Sequence, residues 1–281
     1  MFLQLDAAIT RARYVGARLR TFWQSDHLIA RYRCTSADQI FYIVGAGGSV
    51  NDLSEADCQR IEAGISASIN MACTAPIAFD ICSLELIADQ HQADSVAAKL
   101  AGQAKPALIW FQKRARHENA YIRDLGQRFP MHSYRRASVS VRRRLHTYRH
   151  IFRAVMRRRV FVNPDLNVSF ALTGTVARLV LLACALGYRN ICFVGVDLGS
   201  TPYFWQENRA LRGVAPWRDV NGTFDPKPTV ANFQGGSRVV PSLFDFLRSL
   251  HEDAGVSLTF STIDPAGRSR LTAYLRDDLY A

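Results

Sequence analysis

The sequence predicts an α/β protein, with one open, mostly parallel sheet and helices on both faces. Two segments carry that expectation. Phe41 to Leu53 reads FYIVGAGGSVNDL, a hydrophobic strand running straight into a glycine-rich turn. Thr173 to Gly199 reads TGTVARLVLLACALGYRNICFVGVDLG, a buried helix, a tight glycine turn and a buried strand ending on an acid. In an open parallel sheet, loops at the carboxyl ends of strands converge on one crevice, where phosphorylated ligands sit. Two such loops far apart in the chain predict one nucleotide site, assembled from both halves of a Rossmann-like fold.

The elements follow in order. Residues 1–38 have the spacing of a basic amphipathic helix or two, forming an N-terminal extension. Ile40 to Val44 is a buried strand, and Gly45 to Ser49 is its turn. Asn51 or Ser54 can cap the next helix, since each offers a side-chain oxygen to free N–H groups. Ala67 to Ala72 is a second strand, with Asn70 near its end. Ile77 to Cys82 is a third, followed by Ser83 and a helix through Leu100. Pro106 to Phe111 is a fourth, opened by a proline that needs no ladder N–H. Val160 to Val162 is a candidate short strand. A helix over 175–187 then ends on Gly187 near its C-cap position, and a strand runs over 191–196. A helix from Pro241 to Ala254, with proline in its first turn, and a strand from Val256 to Ile263 complete the order.

Two stretches interrupt this rhythm. Between Lys113 and Arg159 there are fifteen Lys/Arg and two acids, Glu118 and Asp124. This segment therefore carries +13 against a net charge of +11, and the rest of the chain is near neutral at −2. Val141, Leu145, Tyr148, Ile151, Phe152 and Val155 are spaced as on a helix, so 113–159 is expected to be an inserted basic helical lid. The loop over 199–240, rich in Gly, Pro and aromatics, is too long for a simple connection and is a candidate active-site loop. The predicted organisation is thus 1–38 as extension, 39–112 as the first half of the nucleotide-binding domain, 113–159 as lid and 160–281 as the second half.

Composition supports a cored, folded chain: of 281 residues, 48% are hydrophobic and 11% aromatic. Cys34, Cys58, Cys73, Cys82, Cys184 and Cys192 lack CxxC spacing, which reads as free thiols in a reducing compartment. The arginine-interrupted N-terminus has no signal-peptide h-region. The longest apolar run, Leu179 to Leu186, is far too short to span a bilayer, so a cytoplasmic protein is expected.

The basic segment admits three readings: nucleic-acid binding by phosphate neutralisation, binding to anionic lipid headgroups and lipopolysaccharide phosphates, or a solvated helical face. Tyr121, Phe129, Tyr134, Tyr148 and Phe152 are spaced as a helix core and not as a stacking platform, which disfavours nucleic acid. Peripheral attachment to the cytoplasmic face of an anionic inner membrane, through 113–159 and the N-terminus, is the reading carried forward.

The GAGGS turn falls short of the GxGxxG dinucleotide fingerprint, because Val50 stands where the third small residue would be. Its small residues let backbone amides approach an anion, and Ser49 adds a hydroxyl donor. The alternative is a tight strand-to-helix turn with no ligand. Ser68-Ile69-Asn70 occupies the end of the second strand, where an NAD enzyme would present Asp or Glu to the ribose, which weakens a dehydrogenase reading. HExxH, DxD, GxSxG and GxxxxGK[ST] are all absent.

FYIVGAGGSVNDL, then SINMA, then TGTVARLVLLACALGYRNICFVGVDLG together resemble the bacterial sialyltransferases of lipooligosaccharide synthesis. They also resemble the related motility-associated factors thought to place nonulosonic acids on flagellin. The resemblance covers roughly 40–90 and 167–265. It implies a variant of the sialyltransferase fold, a CMP-activated sugar donor and no metal or other cofactor. Gly45, Ala46, Gly47 and Ser49 match the loop around the cytidine phosphate and ribose, and Asn70 matches the donor-binding Asn after the second strand, with Ser83 following the third. Thr173, Gly174 and Thr175 match the hydroxyl-rich turn beside the phosphate and sugar. Asp197, followed by Gly199, matches the acid ending the signature strand. Tyr203 matches one of two tyrosines whose hydroxyls steady the leaving phosphate, where negative charge grows as the glycosidic bond breaks.

Two departures stand out. Ala46 replaces an Asn of the first glycine loop, and Gln234-Gly235-Gly236-Ser237-Arg238 stands where the family carries its catalytic histidine. The acceptor base is then sought among Asp225, Glu207 and Asp219, with Asp225 preferred. His132, His146 and His150 in the basic segment and His251 in the late helix rank below them. The resemblance implies a metal-independent, inverting glycosyltransferase that moves sialic acid, another nonulosonate or Kdo from CMP to a glycan or glycolipid acceptor. Alternatives are a catalytically degenerate binding protein for nucleotide or acidic glycan, or a pyrophosphokinase or dehydrogenase on the same sheet. A homo-oligomer is compatible with either.

Overall fold

The computed structural model describes residues 31–84, 90–112, 120–137, 168–170, 174–198, 203–207, 234–235, 238–239, 243–253 and 257–280, together with residue 12. Its strands are β1 (Ile40–Val44), β2 (Ile65–Ile69), β3 (Ile81–Leu84), β4 (Leu108–Gln112), β5 (Met131–Ala137), β6 (Val168–Phe170), β7 (Asn190–Val194), β8 (Gln234–Gly235), β9 (Arg238–Val239) and β10 (Thr259–Ile263). Its α-helices are α1 (Glu55–Ala63), α2 (Gln90–Gly102), α3 (Ala120–Arg128), α4 (Gly174–Ala185), α5 (Phe204–Glu207), α6 (Leu243–Asp253) and α7 (Arg270–Tyr274).

The main sheet has the order β10-β7-β1-β2-β3-β4-β5-β6, with β8 and β9 pairing separately as an antiparallel ribbon. The β1/β2, β2/β3, β3/β4 and β5/β6 pairs are parallel. From β1 the chain lays β2 to β6 on one side, and then returns to lay β7 and β10 on the other. Strand order therefore reverses between β1 and β7, which is the switch point of a doubly wound, Rossmann-like α/β fold. The predicted fold class holds, and so does the expected convergence of the two signature segments, because β1 and β7 are neighbours.

The chain divides into two compact units. One comprises Met1–Gln39, Ser133–Ile191 and Thr229–Thr259; the other comprises Ile40–His132, Cys192–Pro228 and Phe260–Ala281. In the second unit, Val44, Cys82, Leu84 and Ile109 share one face of the strands and pack with Ile61 of α1, Val96 and Leu100 of α2 and Leu125 of α3. Each such side chain contributes about 1.5–3 kcal/mol on leaving water. Helix α1 starts at Ser54, not Asn51. The Ser54 hydroxyl accepts from the Asp57 N–H, and the Asp57 carboxylate accepts from the Ser54 N–H, completing a capping box. Ser54→Ala is expected to cost about 1 kcal/mol, read as a lower denaturant midpoint at unchanged slope.

In the first unit α4 is apolar nearly all round, and Leu179, Val180, Leu182 and Ala183 are buried. It ends on Gly187 at φ +95, where the left-handed turn favours glycine. The Leu186 carbonyl accepts from the Cys34 N–H at 2.9 Å, and the Tyr188 hydroxyl donates to the Tyr32 carbonyl at 3.0 Å.

Several boundaries differ from expectation. The third strand begins at Ile81, not Ile77. Ile77 and Phe79 are buried as expected of a strand. However, the Ala78 N–H donates to Glu62 Oε1 at 2.8 Å and the Phe79 N–H to Gln103 Oε1 at 3.1 Å, so side chains take the bonds a ladder would use. The second strand ends at Ile69, because Asn70 turns out of the ladder at φ +48 into a short 3-10 turn. The helix after β3 is described from Gln90 to Gly102.

The basic insertion is not wholly helical. Its described part holds α3 and then β5, and the Ile109 N–H donates to the Pro130 carbonyl at 2.9 Å, bringing that strand beside β4. His132 and Tyr134, two residues apart, are both buried, a period of two that the helical spacing downstream obscured. Residues 138–159, the expected strand at 160–162 and the N-terminal extension up to residue 30, residue 12 apart, lie outside the described residues. Among the described residues no helix is long and apolar enough to cross a membrane.

Candidate functional site

The residues that cluster where β1 and β7 end all belong to the second unit. The Gly45 N–H donates to the Val194 carbonyl at 2.7 Å, and the Gly47 N–H donates to the Gly195 carbonyl at 2.8 Å, so the two turns run side by side. That approach requires glycine. A Cβ on Gly45 would lie 2.4 Å from the Gly195 oxygen, and one on Gly47 would lie 2.4 Å from the Asp197 carboxylate.

Asp197 leaves the end of β7 and points into the glycine turn. Its carboxylate accepts from the Ser49 N–H at 3.1 Å and through a second, short hydrogen bond from the Ser49 hydroxyl. Ser49 and Asp197 are 1% and 3% exposed, so this charge-assisted pair is removed from solvent. The Asp197 carbonyl accepts from the Arg270 N–H at 2.9 Å, and the Val196 carbonyl accepts from the Ser269 hydroxyl at 2.8 Å. Leu198 then takes a left-handed conformation at φ +54.

The short helix α5 packs directly on the glycine turn. Tyr203 bridges Gly47 through the backbone, the Phe204 N–H donates to the Ala46 carbonyl at 3.1 Å, and Asn51 Nδ2 donates to the Phe204 carbonyl at 2.8 Å. Gln206 folds back to accept from the Tyr203 N–H at 2.8 Å, closing the start of the helix. The Tyr203 ring stacks on Trp205 with centroids 4.5 Å apart and planes at 20°. Burial pushes the Tyr203 phenol above its ordinary value of 10, so its hydroxyl stays a proton donor throughout the neutral range. Arg268, in the turn after β10, ties this helix down. It pairs with Glu207 at 2.9 Å, and forks onto Asp52 at 2.9 and 3.1 Å.

Of the residues the sequence singled out, Gly45, Ala46, Gly47, Ser49, Asp197 and Tyr203 therefore meet at one place. Asn70 and Ser83 stand along the same carboxyl edge, since the register sets Val44 beside Ser68 and Ile69 beside Ser83. The Ser83 hydroxyl is buried, with no hydrogen-bond partner among the described residues. Gly174 and Thr175 belong to the first unit, at the start of α4. There the Thr175 hydroxyl accepts from Arg178 at 3.0 Å, and burial pushes the Arg178 guanidinium down to about 10. Thr173, Gly199, Asp219 and Asp225 lie outside the described residues, as do His146 and His150. Glu207, at the end of α5, accepts from Arg268 at 2.9 Å. His132 is buried on β5, and His251 on α6 has Nδ1 3.2 Å from the Leu258 carbonyl.

Sequence reasoning missed Asn51 as a tie to α5, and it missed Arg268 and Ser269 altogether. The signal for the last two was positional: DPAGRS follows a strand at its carboxyl end, the edge on which such sites form.

The order of the strands defines a Rossmann-like α/β protein, with the two joined turns at its switch point. No family model matches the chain, and no curated protein matches it. Among solved structures it is similar to the MAf glycosyltransferase from Magnetospirillum magneticum AMB-1, at 19% identity and a TM-score of 0.39. The alignment covers 95% of this chain and 39% of that one, so the chain spans about two fifths of that structure's length.

Proposed function

We propose that this chain is a metal-independent, inverting glycosyltransferase. It moves an acidic 2-keto sugar (sialic acid, another nonulosonate or Kdo) from its CMP-activated form to a hydroxyl of a bacterial surface glycan, in lipopolysaccharide, capsule or flagellin. The observation that carries the reading is the switch-point cluster, where the motif residues Gly45, Gly47, Ser49, Asp197 and Tyr203 converge although β1 and β7 lie far apart in sequence. The sequence resemblance supports cytidine as the base and a keto-sugar as the transferred group.

In this mechanism the acceptor oxygen attacks the anomeric carbon and the bond from that carbon to the CMP oxygen breaks. The electron pair goes to the departing phosphate, and the acceptor proton goes to a base, for which Asp225 is proposed. Tyr203 donates its hydroxyl to the phosphate as charge grows there. Asn70, Ser83 and Gly199 are the further proposed donor contacts. The charge of 113–159 supports peripheral attachment to an anionic cytoplasmic membrane face, which brings a glycolipid acceptor within reach.

Calorimetric titration with CMP, UMP, AMP and NAD tests the reading. Cytidine is expected to bind at least tenfold tighter than the others, about 1.4 kcal/mol. The absence of any cytidine preference would sink it.

A further inference from the structure

In dinucleotide-binding folds the first glycine turn presents its amides, and the N-terminus of a long helix, to a pyrophosphate. Here five donors of that turn and its continuation are already engaged, with the Ala46 and Gly48 N–H groups outside that set. The Gly45 and Gly47 N–H groups serve β7 and its turn, and the Val50 N–H donates to the Gly47 carbonyl at 3.2 Å. Ser49 gives both its N–H and its hydroxyl to Asp197. The element that follows is no long helix, but a 3-10 turn of 5 residues, Gly48–Asp52, with the capped helix α1 starting only afterwards. Such a turn has little of the aligned dipole that attracts phosphate. A buried carboxylate therefore occupies the place where an anion would be received, and the glycines serve its close approach.

We infer that Asp197 is a specificity-determining residue, a built-in anion that fills the phosphate seat of the switch-point turn and turns away diphosphate ligands. A second phosphoryl group placed on this turn would face the Asp197 charge at short range in a water-poor site, where like charges repel strongly. A ligand with one phosphate, held from the Tyr203 side of the turn, avoids that clash. The inference rests on the proposed nucleotide site and narrows it, because it concerns the number of phosphates and not the base.

Two measurements test it. Mono- and diphosphates of cytidine, uridine and adenosine are titrated into the wild type and Asp197→Asn. Inorganic pyrophosphate is tested for thermal stabilisation of both proteins. Whatever the preferred base, the wild type is expected to bind the monophosphate at least tenfold tighter than its diphosphate, with that preference cut at least tenfold in Asp197→Asn. Pyrophosphate is expected to raise the Tm of the variant only. A diphosphate that binds the wild type as tightly as its monophosphate, an unchanged ratio in the variant, or pyrophosphate that stabilises the wild type or neither protein would overturn the assignment. If Asp197→Asn does not fold, Asp197→Ser takes its place, and the wild-type ratio decides without any variant. Loss of base preference alone counts against the proposed function and leaves this inference standing.

Discussion

Gly195→Ala is expected to destabilise the protein by about 2–4 kcal/mol, far more than an ordinary glycine replacement in a turn. Two costs combine. Gly195 has φ +62, so an alanine there takes the left-handed conformation at about 1 kcal/mol. Its Cβ would also stand 2.4 Å from Val50 Cγ2 and 2.7 Å from the Gly45 oxygen, and the second contact is backbone that cannot swing aside. Relief would require the β1 and β7 turns to part, breaking the Gly45 and Gly47 hydrogen bonds. Gly267→Ala isolates the conformational cost. That residue has φ +66 but nothing within 4 Å of the added carbon, so about 1 kcal/mol is expected. Denaturant midpoints of the two variants measure the difference, and equal destabilisation would show that the turns are not packed as described.

Tyr203→Phe is expected to lower transfer from a CMP-sugar about 100-fold while costing less than about 1 kcal/mol of stability. The ring, its stack on Trp205 and the backbone bridge to Gly47 survive the substitution, so the change removes only the hydroxyl. If that hydroxyl steadies the leaving phosphate, the loss falls on kcat and leaves KM little changed, because the charge it answers develops in the transition state. The pH dependence has a defined sign. Burial raises the folded phenol above its ordinary value of 10, so in the free protein this donor is lost through ionisation at higher pH than for an exposed tyrosine. The same raised value means that stability from keeping the phenol neutral is present below pH 10 and declines as pH rises through the folded value. Wild-type turnover in Tyr203→Phe would remove this residue from the site.

The sheet was largely legible in the sequence because its signals are local. Ile40–Val44 and Asn190–Val194 are short apolar runs bounded by glycine turns. Ser54 lies three residues before Asp57, the spacing of a reciprocal cap. Boundaries failed where a distant side chain displaced the ladder. Ile77 to Asp80 has the composition of a strand, yet Glu62 and Gln103 take the amide bonds of Ala78 and Phe79, and neither partner is announced by the segment itself. The strand β5 was hidden by helical spacing in the residues that follow it, and by a charge density that suggested a single outward face.

By itself, then, the sequence determined that two strand-and-turn units exist, that both end in small residues, and that the second closes on an acid. These are properties of neighbouring residues and of their conformational limits. Only the tertiary structure decided that the carboxylate of Asp197 occupies the amide and hydroxyl of Ser49, 148 positions away in the chain. A glycine-rich turn reads the same whether its donors await a phosphate or hold a carboxylate of the same molecule. Which anion fills it depends on strand order, since placing β7 beside β1 brings Asp197 within hydrogen-bonding reach.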